Sequence, residues 1–397
     1  MSDAQTRVRQ FTTRAANASQ IEQHARAAYV VWAKGKSWEE FWGLFQSELN
    51  DAQWGKDALV TWVLVRTDDP EGEIYAGCKT YRRKGWVKHR GANDIEPGFV
   101  YDVTFVVTPK QHLRNGYANR LLSILHHHLA PSSTVPPIPE AWGKGQLSIP
   151  ASPDIIARTP KAFGSILWSD IGSTYYARCA ISPDRPGWIV DDSQNGELVW
   201  KILPPKDDVE KGFEWLYLED LDAIGEELSD RLKEKLRQAD TTERALFIQD
   251  PATPGILSYV PAIGARLSPT SQRLPVGLRI KSSSGNASED TIVLITITCI
   301  PFGERFLITF ISNLAPAQLS LVLRACDKLA TDAGHEEGWV WGVNGDVGLV
   351  KAWDEEPGRE IKVGRRPEQH GHLLAVAWYG AEEEKGTIME SQIWSWG

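Results

Sequence analysis

The chain has 397 residues, 42% of them hydrophobic and 24% charged, with a formal net charge of -9. That length exceeds a comfortable single core, so two domains are expected, and the ordinary composition excludes disorder over most of the chain. The negative balance makes a nucleic-acid backbone a poor general partner, and no short basic run stands out beyond Arg82-Arg83-Lys84.

Residues 19–33 and 38–50 carry apolar side chains at helical spacing. Residues 58–66 are rich in β-branched side chains and read as a strand. A turn at 68–72 leads into an antiparallel partner at 73–82. Residues 99–108 form a third strand, which Pro109 ends. A polar, glycine-bearing turn follows at 110–118, then an apolar-periodic helix at 119–129. Residues 131–160, rich in Pro and Ser, make a long connection of the kind that usually covers a site or lacks order. A short buried strand is expected at 165–168, the start of a helix at 173–179, and strands at 188–190 and 198–203. The Pro204-Pro205-Lys206-Asp207-Asp208 stretch is the best linker, which divides the chain into 1–205 and 206–397.

The second part opens with a charged helix at 220–238. Strands are expected at 245–248, 292–300 and 306–311, a helix at 315–333, and strands at 338–343, 361–363, 372–379 and 389–396. The order strand, strand, helix, strand at 292–343 repeats that of 73–168, a weak internal duplication. The counterpart of the glycine turn, Ser312-Asn313-Leu314-Ala315-Pro316, has neither glycine nor arginine. Cys78, Cys179, Cys299 and Cys326 are scattered without a CxxC pair, so neither a zinc site nor a disulfide framework is suggested. The opening residues lack the apolar core of a signal peptide, and no stretch approaches the ~20 apolar residues of a membrane span. A reducing cytoplasm, with no membrane partner, is the expected setting.

The turn at 112–118 carries the chemistry. A helix begins behind it, and helix N-termini present unpaired N–H groups and the positive end of the macrodipole. Gly116 lets backbone approach an anion, Ala118 keeps the first helical turn small, and Arg114 adds a charge whose geometry matches phosphate. The sum suits a pyrophosphate cradle, though the same residues taken alone also fit a plain strand–helix corner that holds one glycine and one arginine.

Residues 103–118 resemble the acetyl-CoA motif of the GNAT superfamily, a strand followed by Pro and an Arg/Gln-x-x-Gly-x-Gly/Ala turn. Leu113-Arg114-Asn115-Gly116-Tyr117-Ala118 fits at the glycine and the final alanine. It departs at the first position, where Leu113 stands and the arginine comes one place later. The superfamily's next motif is similar to the run in which Ser169, Gly172, Tyr175 and Tyr176 stand, followed by Ala180-Ile181. A narrower resemblance, to the fungal lysine N-acetyltransferase family, rests on residues 77–83, 166–172 and 175–178. Members of that family have a GNAT half followed by a GNAT-like half.

These resemblances imply a mixed-sheet α/β fold with an acetyl-CoA site in the first half and a degenerate GNAT-like second half without one. They imply direct acetyl transfer to a small amine, the side chain of lysine or a lysine-like compound. Backbone groups of Phe105, Val106 and Val107 would bond the pantetheine arm, one N–H there could hold the thioester oxygen, and the N–H groups of 115–118 would hold the phosphates. Ser169 and Tyr175 fall at cofactor positions, and Tyr176 matches the proton donor to the departing thiolate. Asp102, Glu96 and Asp170 are candidates for the base that neutralises the amine. Another amine acceptor, or a catalytically silent acyl-CoA binder, fits the same residues.

Three features are decoys on this reading. Adjacent helical residues point in different directions, so His126, His127 and His128 cannot share a metal, and none is expected. Cys179 reads as a core thiol and Glu382-Glu383-Glu384 as a solvated turn. Trp378, Trp394 and Trp396 are expected in the core or in a wall of the acceptor pocket.

Overall fold

The computed structural model describes residues 10–33, 35–139, 142, 151–205, 212–267, 274–297, 305–343 and 347–396. The chain opens with a strand that the sequence reading lacks, β1 (Phe11–Ala15), paired antiparallel with β2 (Leu59–Arg66). Between them lie α1 (Ala18–Trp32) and α2 (Trp38–Asn50), each begun by a capping box. Asn17 and Gln20 close the first, Ser37 and Glu40 the second, so orphan N–H groups at both helix starts are satisfied. Strand β2 is buried along nearly its whole length, which accounts for its continuous apolar run.

β3 (Asp69–Lys88) and β4 (Glu96–Val107) form a long hairpin, extending further than periodicity suggests. α3 (Tyr117–Leu129) then crosses to β5 (Gly164–Ile171), which pairs parallel with β4; α4 (Pro153–Arg158) lies within the connection. The helix expected at 173–179 is only a single 3-10 turn, Tyr176–Arg178. The returning chain takes its carbonyls: Gly187 N–H bonds Ala177 O, and Trp188 N–H bonds Tyr176 O. A Cβ at Gly187 would lie 2.1 Å from Cys179 O, so this close return requires glycine.

After β6 (Ile189–Val190), β7 (Gly196–Lys201) and β8 (Glu214–Leu216) come α5 (Leu221–Gln238), β9 (Leu246–Gln249) and α6 (Ile256–Leu267). Strands β10 (Gly277–Ile280), β11 (Thr291–Thr296) and β12 (Phe306–Ser312) lead to α7 (Leu319–Asp332), β13 (Glu337–Trp341) and α8 (Val347–Asp354). β14 (Lys362–Arg365), β15 (Gln369–Trp378) and β16 (Thr387–Ile388) end the chain. The strand expected at 389–396 is replaced by a buried 3-10 turn, Ile393–Ser395.

Two mixed sheets result, as the expected α/β architecture requires. The first runs β1-β2-β3-β4-β5-β15-β6, with β9 on the far end of β3 and β16 on β9. The second runs β8-β10-β11-β12-β13-β7-β14. They correspond position by position. Each has a parallel pair, β4 with β5 and β12 with β13, connected through a helix. The strand beyond that pair comes from the other part of the chain in both sheets: β15 pairs with β5, and β7 pairs with β13. With β9 and β16, which also join the first sheet, four strands therefore cross the boundary expected at 205/206, whose linker lies partly outside the described residues.

Candidate active site

The parallel pairing of β4 and β5 covers Val100↔Gly164 to Asp102↔Ile166. Beyond it the strands part, and a cavity of about 630 Å³ opens between them. The divergence follows from a bulge. Gly77 pairs with Val107 while Lys79 pairs with Thr104, so β4 carries one residue more than β3 over this stretch. Phe105 stands there at φ 49, a left-handed conformation that a bulky side chain rarely adopts. Its carbonyl is taken by the ring of buried His24 on α1, with Nε2 at 2.9 Å. Burial lowers the His24 pKa to about 4, so the ring is neutral and its Nε2–H donates. Gly77 makes room for that ring: a Cβ there would sit 2.5 Å from His24 Cδ2.

At the other end of the cavity the turn closes on α3. Pro109 caps a short 3-10 turn, Arg114 stands at φ 64 and Gly116 at φ 82, and the helix starts at Tyr117, two residues before the expected start. Asn115 Nδ2 donates to the carbonyls of His112 and Leu113, both at 3.1 Å, which braces the turn. His112 is fixed in turn by Glu73 at 2.8 Å and by the ring of Tyr75, 4.2 Å away. Leu113, Arg114, Gly116, Tyr117 and Ala118 line the cavity, as do Phe105 and Val106; Val107 and Asn115 are not among its lining residues.

Tyr175 and Tyr176 line it from the β5 side, with ring centroids 5.1 Å apart. Burial, with Tyr175, Cys179 and the negative Asp170 nearby, pushes the Tyr176 phenol well above its ordinary value; burial brings Tyr175 to about 12. Both keep their protons at neutral pH.

Two further expected site residues lie off the cavity. Asp102 is 1% exposed and its carboxylate is held by Arg83, with Nε at 2.9 Å, and by Gln249. Burial raises its pKa to about 6, with Arg83 opposing, but it does not line the cavity, so it is a buried ion-pair member and not a base positioned on a substrate. Ser169 is fully buried, and its hydroxyl donates to Gly172 O at 2.7 Å, which shapes the β5 turn instead of facing the cavity. Glu96 is exposed at the start of β4, while Asp170 does line the cavity.

The structure also brings in residues that sequence reasoning missed. Glu48 of α2 faces the cavity and bonds the buried Lys79 ammonium and the Tyr81 hydroxyl. That ammonium lies 3.3 Å from the Phe45 ring centroid. Tyr259 and His372 come from the second half, where no local pattern marks them; each reaches the cavity by tertiary packing. Trp396, expected in the core or in a wall of the acceptor pocket, lines the cavity with them. Trp396 packs tilted against Tyr259, with ring centroids 5.4 Å apart, whereas Trp394 packs on Phe310 and Trp378 on Phe247, outside the cavity. The three histidines of α3 diverge, His126 to Tyr379 and Cys179 O, His127 to Ile181 O, and His128 to the ring of Trp62. Among the described residues no helix is long and apolar enough to cross a membrane.

Solved structures that resemble the chain include proteins described as GCN5-related N-acetyltransferases or N-acyltransferases. One is a GCN5-related N-acetyltransferase from Kribbella flavida, at 8% identity, covering 94% of this chain and 73% of that one, with a TM-score of 0.47. Another is a conserved protein of unknown function, a probable N-acyltransferase, from Enterococcus faecalis, at 9% identity, 94% and 74% coverage and a TM-score of 0.47. A third is a putative acetyltransferase from Pyrococcus horikoshii, at 11% identity, 98% and 96% coverage and a TM-score of 0.44. No family model and no curated protein matches the sequence.

Proposed function

We infer that the chain is an N-acyltransferase that moves acetyl directly from acetyl-CoA to a small primary amine. The observation that carries this reading is the parting of β4 and β5 at the Phe105 bulge, with the α3 turn at one end of the same cavity and Tyr176 on its wall. The first-turn N–H groups behind Gly116 and the Arg114 guanidinium suit a pyrophosphate. The unpaired edge of β4 at 105–107 suits the amides of a pantetheine arm, and an N–H there can hold a developing oxyanion. Tyr176, protonated at neutral pH, can give its proton to a departing thiolate.

The acceptor end is walled by aromatic residues, Trp32, Phe41, Phe45, Trp54, Tyr259 and Trp396. Such walls suit the methylene chain of an amine such as the lysine side chain or a lysine-like compound, with the cation attracted to ring faces. A cytoplasmic setting belongs to the same reading. The second half has no comparable anion site in its corresponding turn. Pro316 starts a 3-10 turn there, and the Gln318 side chain takes the Ala315 N–H. One CoA per chain follows.

The test is acetyl-CoA-dependent thiol release against a panel of amines, with calorimetry of acetyl-CoA binding. Release with at least one amine and one bound CoA per chain are expected. Binding without release for any amine leaves only a silent acyl-CoA binder; no binding overturns the reading.

A further inference from the structure

Acyl transfer to an amine needs a group that removes protons from nitrogen. Two carboxylates line the cavity, Glu48 and Asp170. Glu48 is already matched by the buried Lys79 ammonium and the Tyr81 hydroxyl. Asp170 is different: its side chain is 38% exposed and stands at the end of β5, two residues before the turn that leads to Tyr175 and Tyr176. Its Oδ1 lies 2.7 Å from Nδ1 of His372, which belongs to β15 of the second half and also lines the cavity.

The surroundings hold His372 in place. Its backbone is at φ 47, inside a register shift of β15 between Gln369 and Leu373. Seven non-glycine residues have positive φ among those described, and three of them, Phe105, Arg114 and His372, line this one cavity. Conformations of that kind persist where surrounding structure enforces them, and they cluster at functional sites. The enforcing groups are visible. Arg366, fully buried, donates to His372 O and to Asn195 Oδ1, and its guanidinium lies over Trp341 at 4.4 Å. The His372 ring stacks on Trp341 with centroids 5.9 Å apart.

We propose that the Asp170–His372 pair, which joins the two halves of the chain, is the proton acceptor of the transfer reaction; this rests on the N-acyltransferase reading. The acceptor ammonium gives one proton to the pair, which passes it to solvent. The freed lone pair forms the N–C bond, and the electron pair of the C–S bond leaves with sulfur. The nitrogen's second surplus proton goes to the pair. Tyr176 protonates the thiolate, and the pair returns a proton to the Tyr176 phenolate. One ammonium and one thioester thus yield one amide, one thiol and one proton.

The charged groups around the imidazole suit this task. Burial, with the guanidiniums of Arg305 and Arg366, lowers the His372 pKa, and Asp170 opposes them, so the ring is neutral at pH 7. A carboxylate against an imidazole also stabilises the imidazolium as it forms.

The test uses the full chain with His372→Gln and Asp170→Asn, assayed on the amine the wild type acetylates best. Each variant should lower kcat at pH 7 by roughly 10²-fold, keep acetyl-CoA affinity within about threefold, and displace the acidic limb of the kcat–pH profile. His372→Ala should regain part of the rate with added imidazole. His372 is buried and its replacement could disturb folding, so Asp170→Asn, at a part-exposed position, is checked by thermal melting and stands as the second variant. A folded Asp170→Asn that keeps kcat within about threefold with the acidic limb in place overturns the proposal. A wild type that releases thiol with no amine overturns the acyltransferase reading itself, a result distinct from the first.

Discussion

His24 and Phe105, 81 positions apart, are joined by a hydrogen bond of 2.9 Å from a ring nitrogen to a strand carbonyl. The bond turns the Phe105 carbonyl toward α1, and the bulge that opens the cavity depends on it. Replacing His24 with Ala would leave a buried carbonyl unsatisfied, at a cost of about 1–3 kcal/mol. It should also weaken acetyl-CoA binding, because the β4 edge would lose its shape.

The same residue gives stability a pH dependence. His24 is held near a pKa of about 4, His126 near about 3 and His128 near about 4, all by burial and all below the ordinary 6.5. The unfolded chain therefore binds more protons than the folded one as pH falls below 6.5. The stabilisation is complete above pH 6.5 and is lost as pH falls through 4. Thermal melts should show the midpoint dropping between pH 6.5 and 4, and His24→Gln should flatten that drop. A melting temperature independent of pH over this range would falsify the buried neutral rings.

Gly116 stands at φ 82 at the start of α3. Gly116→Asp adds strain and a negative charge where phosphates are expected. The dissociation constant of acetyl-CoA should rise at least tenfold, about 1.4 kcal/mol. Titration calorimetry on the folded variant decides it, and unchanged affinity rules out this placement of the phosphates.

Tyr176→Phe removes the phenolic proton and keeps the ring. Turnover should fall roughly 10²-fold with little change in acetyl-CoA affinity. Wild-type turnover would mean that Tyr176 only packs against Trp188, whose ring centroid is 6.4 Å away.

Asp102 is expected to act on stability alone. Asp102→Asn leaves the buried Arg83 guanidinium without its counter-charge, which costs about 3–5 kcal/mol. At temperatures where the variant stays folded its turnover should match the wild type. A large loss of kcat in the folded state would return Asp102 to the reaction.

The features legible from residue order alone are local. Pro109, Gly116 and the apolar period of 119–129 identify a strand–turn–helix corner, because turn chemistry and helical spacing act within a few residues. The missing glycine and the early Pro316 likewise distinguish the second half's turn from the first. The capping boxes at Asn17 and Ser37 are equally local. Which distant groups meet is set by long-range packing. Asp102 looks like a free carboxylate until Gln249, 147 positions later, and Arg83 enclose it. Ser169 stands at a cofactor position in the motif, yet its hydroxyl closes a turn. The exchange of β7 and β15 between the sheets, which brings His372 to Asp170, is set by hydrogen bonding between strands far apart in the chain. No periodicity encodes such a pairing, because a strand's alternation says which face is buried and not which partner lies alongside.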